Sequence, residues 1–138
     1  MPIAAFVVED NADIRENLVG ALEELACVHV VDAAASEEEA LAWLAQHPQD
    51  WDLLLVDLFL QGGSGIRLMQ RVQRARADQK LVVFSNYVNA SVRKRCAQLG
   101  VDAVFDKSTE IDALVDYCAQ GWTTPPSPGQ PAGRLAGS

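Results

Sequence analysis

Five residues of chemical interest stand at the ends of short apolar runs: Glu9 and Asp10 after IAAFVV, Asp57 after LLLV, Ser85 after LVVF, and Lys107 two residues after Phe105. An apolar run of this length bounded by turn residues reads as a strand buried on both faces, as in a central parallel strand. Open α/β sheets place their sites just beyond the carboxyl ends of their strands, so these side chains converge on one rim. Three carboxylates meeting there raise one another's pKa and cost stability unless a cation neutralises them. An all-oxygen donor set of this size suits Mg2+, which keeps several waters and takes one or two carboxylates plus phosphate oxygens. Such a site fits phosphoryl transfer. Asp57 is then the nucleophile that forms an acyl phosphate, Lys107 adds positive charge, and Ser85 offers a hydroxyl to the phosphoryl oxygens. Taken singly each residue has a plainer role: Glu9 and Asp10 as helix caps, Ser85 in a turn, Lys107 solvated. Four strands ending in this way argue for the functional role.

The elements that must position these residues follow from periodicity. Strands are expected at Ile3–Val8, Val28–Val31, Leu53–Val56, Leu81–Phe84 and Ala103–Phe105, the second at the sheet edge. After Asn11, a plausible cap with Asp13 in the first turn, Ile14, Leu18, Ala21, Leu22 and Leu25 share one helical face. Ser36 and Glu39 form a capping box before Ala40, Leu41 and Leu44, and Pro48 closes that helix. GGSG, residues 62–65, leads into a helix expected to reach Arg76, with Ile66, Met69 and Val72 inward. Arg67, Arg71 and Arg74 form an outer stripe that reads as a solvated surface. A helix after Asn89 buries Val92, Cys96 and Leu99 and stops at Gly100; the last, capped by Ser108 or Thr109, turns Ile111, Leu114, Val115 and Cys118 inward. Five strands alternating with five helices give a parallel sheet covered on both faces.

The chain of 138 residues suffices for one core, so a single domain is expected over residues 1–121, with a Pro/Gly-rich disordered tail or linker over 122–138. A net charge of −8 argues against general nucleic-acid binding. No apolar stretch is long enough to span a bilayer and no signal peptide is evident, so a cytoplasmic location is expected. Cys27, Cys96 and Cys118, widely spaced and without a CxxC, read as reduced core residues.

With these residues in hand the sequence resembles the receiver domain of bacterial two-component response regulators over residues 3 to 120. The matching pieces are Glu9-Asp10, DLLLVDL with Asp57, the GGSG loop, Ser85 in VVFSN, and Lys107 after GVDAVFD. The resemblance implies a doubly wound, flavodoxin-like sheet of order 2-1-3-4-5. It implies phosphorylation of Asp57 by a sensor histidine kinase or a histidine phosphotransfer protein. Mg2+ would be held by Asp10, Asp57 and the carbonyl of Phe59, with Glu9 acting through water. It also implies a switch: Ser85 moves toward the phosphoryl group, and the face of the fourth helix, fifth strand and fifth helix changes partners. Those partners are a downstream protein, a second copy in a homodimer, or the chain's own effector domain if this is a piece of a longer protein. Three positions depart from the pattern: Val104 replaces an aromatic, Ser108 a proline, and Gln61 a proline whose loss makes the loop into the third helix more flexible. Phe59 and Tyr87 flank the expected phosphoryl position and are expected to slow hydrolysis. Arg93, Lys94 and Arg95 on the fourth helix read as a solvated surface, with docking of an acidic partner or a second copy as the alternative.

Three competing readings are weaker. A phosphatase of the haloacid dehalogenase type needs an aspartate where Phe59 stands. A G-x-S-x-G elbow is begun by Gly62-Gly63-Ser64, but position 66 is Ile and no histidine is placed as base. A docking module that never uses phosphate leaves the carboxylate cluster unexplained.

Overall fold

The computed structural model describes residues 3–26, 28–60, 63–86, 88–107 and 110–119. Among them are β1 (Ile3–Val8), α1 (Ala12–Leu25), β2 (Val28–Ala34), α2 (Glu37–Gln46), β3 (Leu53–Val56), α3 (Gly65–Arg71), β4 (Lys80–Ser85), α4 (Ala90–Gln98), β5 (Ala103–Asp106) and α5 (Ile111–Ala119). The strands form one parallel sheet in the order β2-β1-β3-β4-β5, the flavodoxin-like arrangement expected. The expected tail, Cys27, Gln61, Tyr87 and the Ser108 or Thr109 cap lie outside the described residues.

The near-continuous apolar character of the central strands has a simple cause. Successive strand residues point to opposite faces, and both faces are buried. Phe6, Val8, Leu54, Val56, Leu81 and Val83 enter one core with residues of α2, α3 and α4. Ala5, Val7, Leu53, Leu55, Val82 and Phe84 enter the other with α1 and α5. Each fully buried leucine in these layers contributes about 2 kcal/mol of apolar transfer free energy. An aromatic stack seats α2 on the sheet: Phe6 lies 4.2 Å from Trp43, and Trp43 lies 4.4 Å from His47.

Four local expectations are corrected. β2 runs past Val31 to Ala34, because six residues of β1 supply pairing partners along it, with a register shift at Ala5/Phe6. Leu25 is 64% exposed; the buried line of α1 is Leu18–Leu22–Ala26 at i, i+4, i+8, and Leu25 falls about 60° to one side of its centre. Ile111 is 39% exposed, so the inward stripe of α5 begins one turn later at Leu114. Finally, α3 ends at Arg71 instead of continuing to Arg76, and Leu68 joins Met69 as its buried anchor.

The early stop of α3 is enforced by a buried side chain. Val72 is already extended (ψ 133°). Gln79 accepts from the amides of Ala75 (2.8 Å) and Arg76 (3.1 Å) and donates to the carbonyls of Pro48 and Trp51. Two amides that a longer helix would have used are thereby satisfied, which leaves helix continuation no advantage. The arginine stripe is exposed, as expected, and is also ion-paired. Arg67 and Arg71 pair with Glu37, and Arg74 pairs with Asp102 at 2.6 Å while donating to the carbonyls of Gln79 and Gly100.

Candidate functional site

Backbone pairing carries one residue past the strands and fixes the rim. The amide of Glu9 donates to Ala34 (3.0 Å), that of Asp57 to Val8 (3.0 Å), and that of Lys107 to Ser85 (2.9 Å). Side chains 28 to 98 positions apart in sequence are thereby brought into contact at the strand ends. Glu9, Asp57 and Ser85 are buried, Asp57 being only 7% exposed.

The structure brings all five expected side chains together. Carboxylate oxygens of Glu9, Asp10 and Asp57 lie within 4.8 Å of one another. Ser85 Oγ donates to Asp57 Oδ1 at 3.1 Å, and the Phe59 amide donates to the same oxygen at 3.1 Å. Lys107 Nζ donates to Asp57 Oδ2 at 2.8 Å and also to Glu9 Oε1. The second oxygen of Glu9 accepts from the Asn11 amide at 3.1 Å, and Arg15 holds the Glu9 carbonyl at 2.7 Å. A cleft of about 280 Å³ opens over this cluster, lined by Glu9, Asp10, Asn11, Ile14, Asp57, Phe59, Asn86 and Lys107. Phe59 stands at its mouth, 53% exposed.

Electrostatics follow from the crowding. Burial pushes the Glu9 carboxyl above the ordinary glutamate range, against the lowering effect of Lys107 and the Asn11 amide and with a contribution from Asp57. Burial alone would depress Lys107; its hydrogen bonds and charge interactions with Asp57 and Glu9 outweigh that, and the ammonium is held above the ordinary lysine range. Two like charges 4.8 Å apart repel by about 3 kcal/mol at an effective dielectric near 20. One lysine among three carboxylates leaves a net negative site. Its donors are all oxygen, so the chemistry of the set fits a small hard divalent cation such as Mg2+.

Some of the surroundings were not legible in the sequence. Glu37, one of three consecutive glutamates, is buried (5% exposed), while Glu38 and Glu39 are exposed. Its carboxylate accepts from the Ser64 amide (3.1 Å) and from Arg67 Nε (2.9 and 3.0 Å). The capping box marks Glu39, but no local pattern separates Glu37 from Glu38, and only the packing of α2 against α3 selects it. Arg93, Lys94 and Arg95 are all exposed, in keeping with a solvated surface, and Arg93 in addition donates to the Val104 carbonyl (3.0 Å) and to Glu110 (2.8 Å).

Comparison with known proteins agrees with this geometry. A family model described as "Response regulator receiver domain" matches residues 5–119. The chain is 25% identical over 125 residues to the methanol utilization control regulatory protein MoxX of Paracoccus denitrificans, covering 87% of this chain and 55% of the relative. It is 24% identical over 116 residues to the response regulator protein VraR of Staphylococcus saprophyticus, covering 84% and 54%. The chain thus spans just over half the length of these curated relatives. Among solved structures, the signal receiver domain of a NarL response regulator from Mycobacterium tuberculosis superposes with a TM-score of 0.71 at 25% identity, covering 87% of this chain and 98% of that one. The phosphorylated cyanobacterial phytochrome response regulator RcpA superposes with a TM-score of 0.73 at 23% identity, covering 92% and 98%. With the order of its sheet and the residues gathered at its rim, this chain belongs to the response regulator receiver domain family.

Proposed function

We propose that this receiver domain accepts a phosphoryl group on Asp57 and uses it to change what its surface binds. The observation that carries the reading is the double grip on Asp57: Ser85 and the Phe59 amide hold one oxygen, Lys107 the other, beneath an open cleft. A carboxylate held this way is oriented for attack and has cationic and hydroxyl donors already aimed at the position where phosphoryl oxygens arrive. The carboxylate oxygen forms the new bond to phosphorus as the bond to the donor imidazole nitrogen breaks. The freed imidazole keeps the electron pair and takes up a proton. Lys107 and Ser85 then bind phosphoryl oxygens in place of Asp57.

Asp10, Asp57 and the carbonyl of Phe59 would hold Mg2+, with Glu9 acting through water. The ion would supply charge neutralisation for the incoming phosphoryl group. The role is that of a signalling domain that assists its own phosphorylation and dephosphorylation, not of a turnover enzyme. Its donor is a sensor histidine kinase or a histidine phosphotransfer protein in the cytoplasm. The output surface is the face of α4, β5 and α5, which engages a downstream protein, an effector domain of the same protein, or a second copy. Among the described residues no helix is long and apolar enough to cross a membrane.

Intact-protein mass spectrometry after incubation with acetyl phosphate, with and without Mg2+, tests the reading. One phosphoryl adduct is expected on the wild type with Mg2+, and none on Asp57→Asn. A folded wild type that takes up no phosphoryl group under any condition overturns it.

A further inference from the structure

The chain leaves the sheet at Asp57 and enters α3 at Gly65, and the described residues at these two points are pinned. At the near end, the Gly65 amide donates to the Leu58 carbonyl at 3.0 Å. A Cβ at Gly65 would fall 2.3 Å from the Asp57 carbonyl oxygen and 2.6 Å from Leu58 Cα, so the returning chain lies against the backbone of the acceptor residue itself. At the far end stands Glu37. It takes the Ser64 amide, and a Cβ at Gly63 would lie 2.6 Å from Glu37 Cβ and from its Oε1. Gly63 has φ +117°, open to glycine and strained for other residues. Ser64 then caps α3 by accepting the Arg67 amide at 3.2 Å, and Arg67 Nε returns to Glu37.

Resting on the proposed function, we infer that Glu37 is a positioning residue for the phospho-acceptor loop. By holding Gly63 and Ser64 it seats the next residue, Gly65, against the backbone of Asp57 and Leu58, and so steadies the adjoining Phe59, whose amide bonds Asp57 and whose carbonyl would face Mg2+. The Glu37 carboxylate is suited to this task. It is buried, so little water competes for it, and it is met by one backbone donor and two arginines, which makes charge-assisted bonds. Arg67 and Arg71 are themselves mostly exposed; their role is to stabilise the buried carboxylate, not to present a free basic stripe.

Loss of this tether weakens the cation site without removing any group from it. Isothermal calorimetry with Mg2+ alone is expected to show a dissociation constant raised severalfold, up to about tenfold, in Glu37→Gln; tenfold is the low end of what losing a direct partner of a ligand costs a metal site, and Glu37 acts one step further out. The Mg2+ concentration for half-maximal phosphorylation by acetyl phosphate shifts by the same factor. The rate at saturating Mg2+ recovers toward wild type, a split that mere destabilisation does not produce. Arg67→Gln, altered at a mostly exposed side chain, is the second variant, and a shift in the same direction is expected. Glu38→Gln, its exposed neighbour, serves as the control and stays at the wild-type value. Unshifted Mg2+ affinity in folded Glu37→Gln and Arg67→Gln overturns the inference alone. A folded wild type that neither binds Mg2+ nor takes a phosphoryl group overturns the functional reading beneath it.

Discussion

Arg93 Nη2 lies 2.8 Å from Glu110 Oε1 and joins α4 to the residue just before α5. The same arginine donates to the Val104 carbonyl of β5, and the same glutamate oxygen accepts the Asp106 amide at 2.9 Å, one residue before Lys107. The pair thus ties together the three elements of the proposed output face, at a place where Val104 provides no aromatic ring. Arg93→Ala should speed hydrogen exchange at the Asp106 amide by up to about fivefold, the range open to a partly exposed ion pair. Exchange monitored by mass spectrometry checks this, and unchanged rates across 104–110 would show that the link does not hold the face.

The two glycines in helical positions should respond to alanine with opposite signs. Gly20 lies in α1 with nothing within 4 Å of a Cβ, so Gly20→Ala stabilises by about 0.5–1 kcal/mol through helix propensity and unfolded-state entropy. Gly65→Ala drives a Cβ into the Asp57 carbonyl and destabilises by about 1–3 kcal/mol or more. Urea unfolding of both variants decides the matter; equal effects would contradict the close approach at Gly65.

The buried thiols should be inert. Burial pushes the Cys118 thiol up to about 12 and raises that of Cys96 as well, and the thiolate is the reactive form. Iodoacetamide at neutral pH, followed by peptide mapping, should leave both unmodified in the folded protein and alkylate them in urea. Labelling of Cys118 in the native state would disprove this.

Acid should expose the contribution of Glu37. Desolvation raises its pKa, but the Ser64 amide, Arg67 and Arg71 outweigh this and hold the carboxyl below its ordinary value of 4.5. A depressed folded-state pKa means that the stabilisation is present above about 4.5 and is lost as pH falls through the lower folded value. The stability difference between wild type and Glu37→Gln should therefore shrink between pH 6 and roughly pH 3. A difference independent of pH would mean that the carboxylate charge contributes nothing.

Mg2+ should raise the melting temperature of the wild type, because a ligand that binds only the native state stabilises it by mass action, by about 2.7 kcal/mol at a hundredfold excess over the dissociation constant. Asp10→Asn should abolish the rise. A rise that survives this change would place the cation elsewhere.

The sequence alone determined the alternation of strands and helices, the burial of the central strands on both faces, and the set Glu9, Asp10, Asp57, Ser85 and Lys107. These are local signals: a short apolar run, a polar residue at its end, and a helical period between runs. The parallel βαβ rule then brings all the carboxyl ends to one rim without knowledge of any contact. The tertiary structure alone decided which polar side chains hold the elements in place. Glu37 cannot be told from Glu38 until α2 packs on α3. Helix α3 stops at Arg71 because Gln79, eight positions later, supplies one oxygen that accepts from the amides of both Ala75 and Arg76. Arg93 acquires its partners only once α4 crosses β5. Burial of a polar residue depends on partners distant in sequence that satisfy its hydrogen bonds, and periodicity carries no record of them.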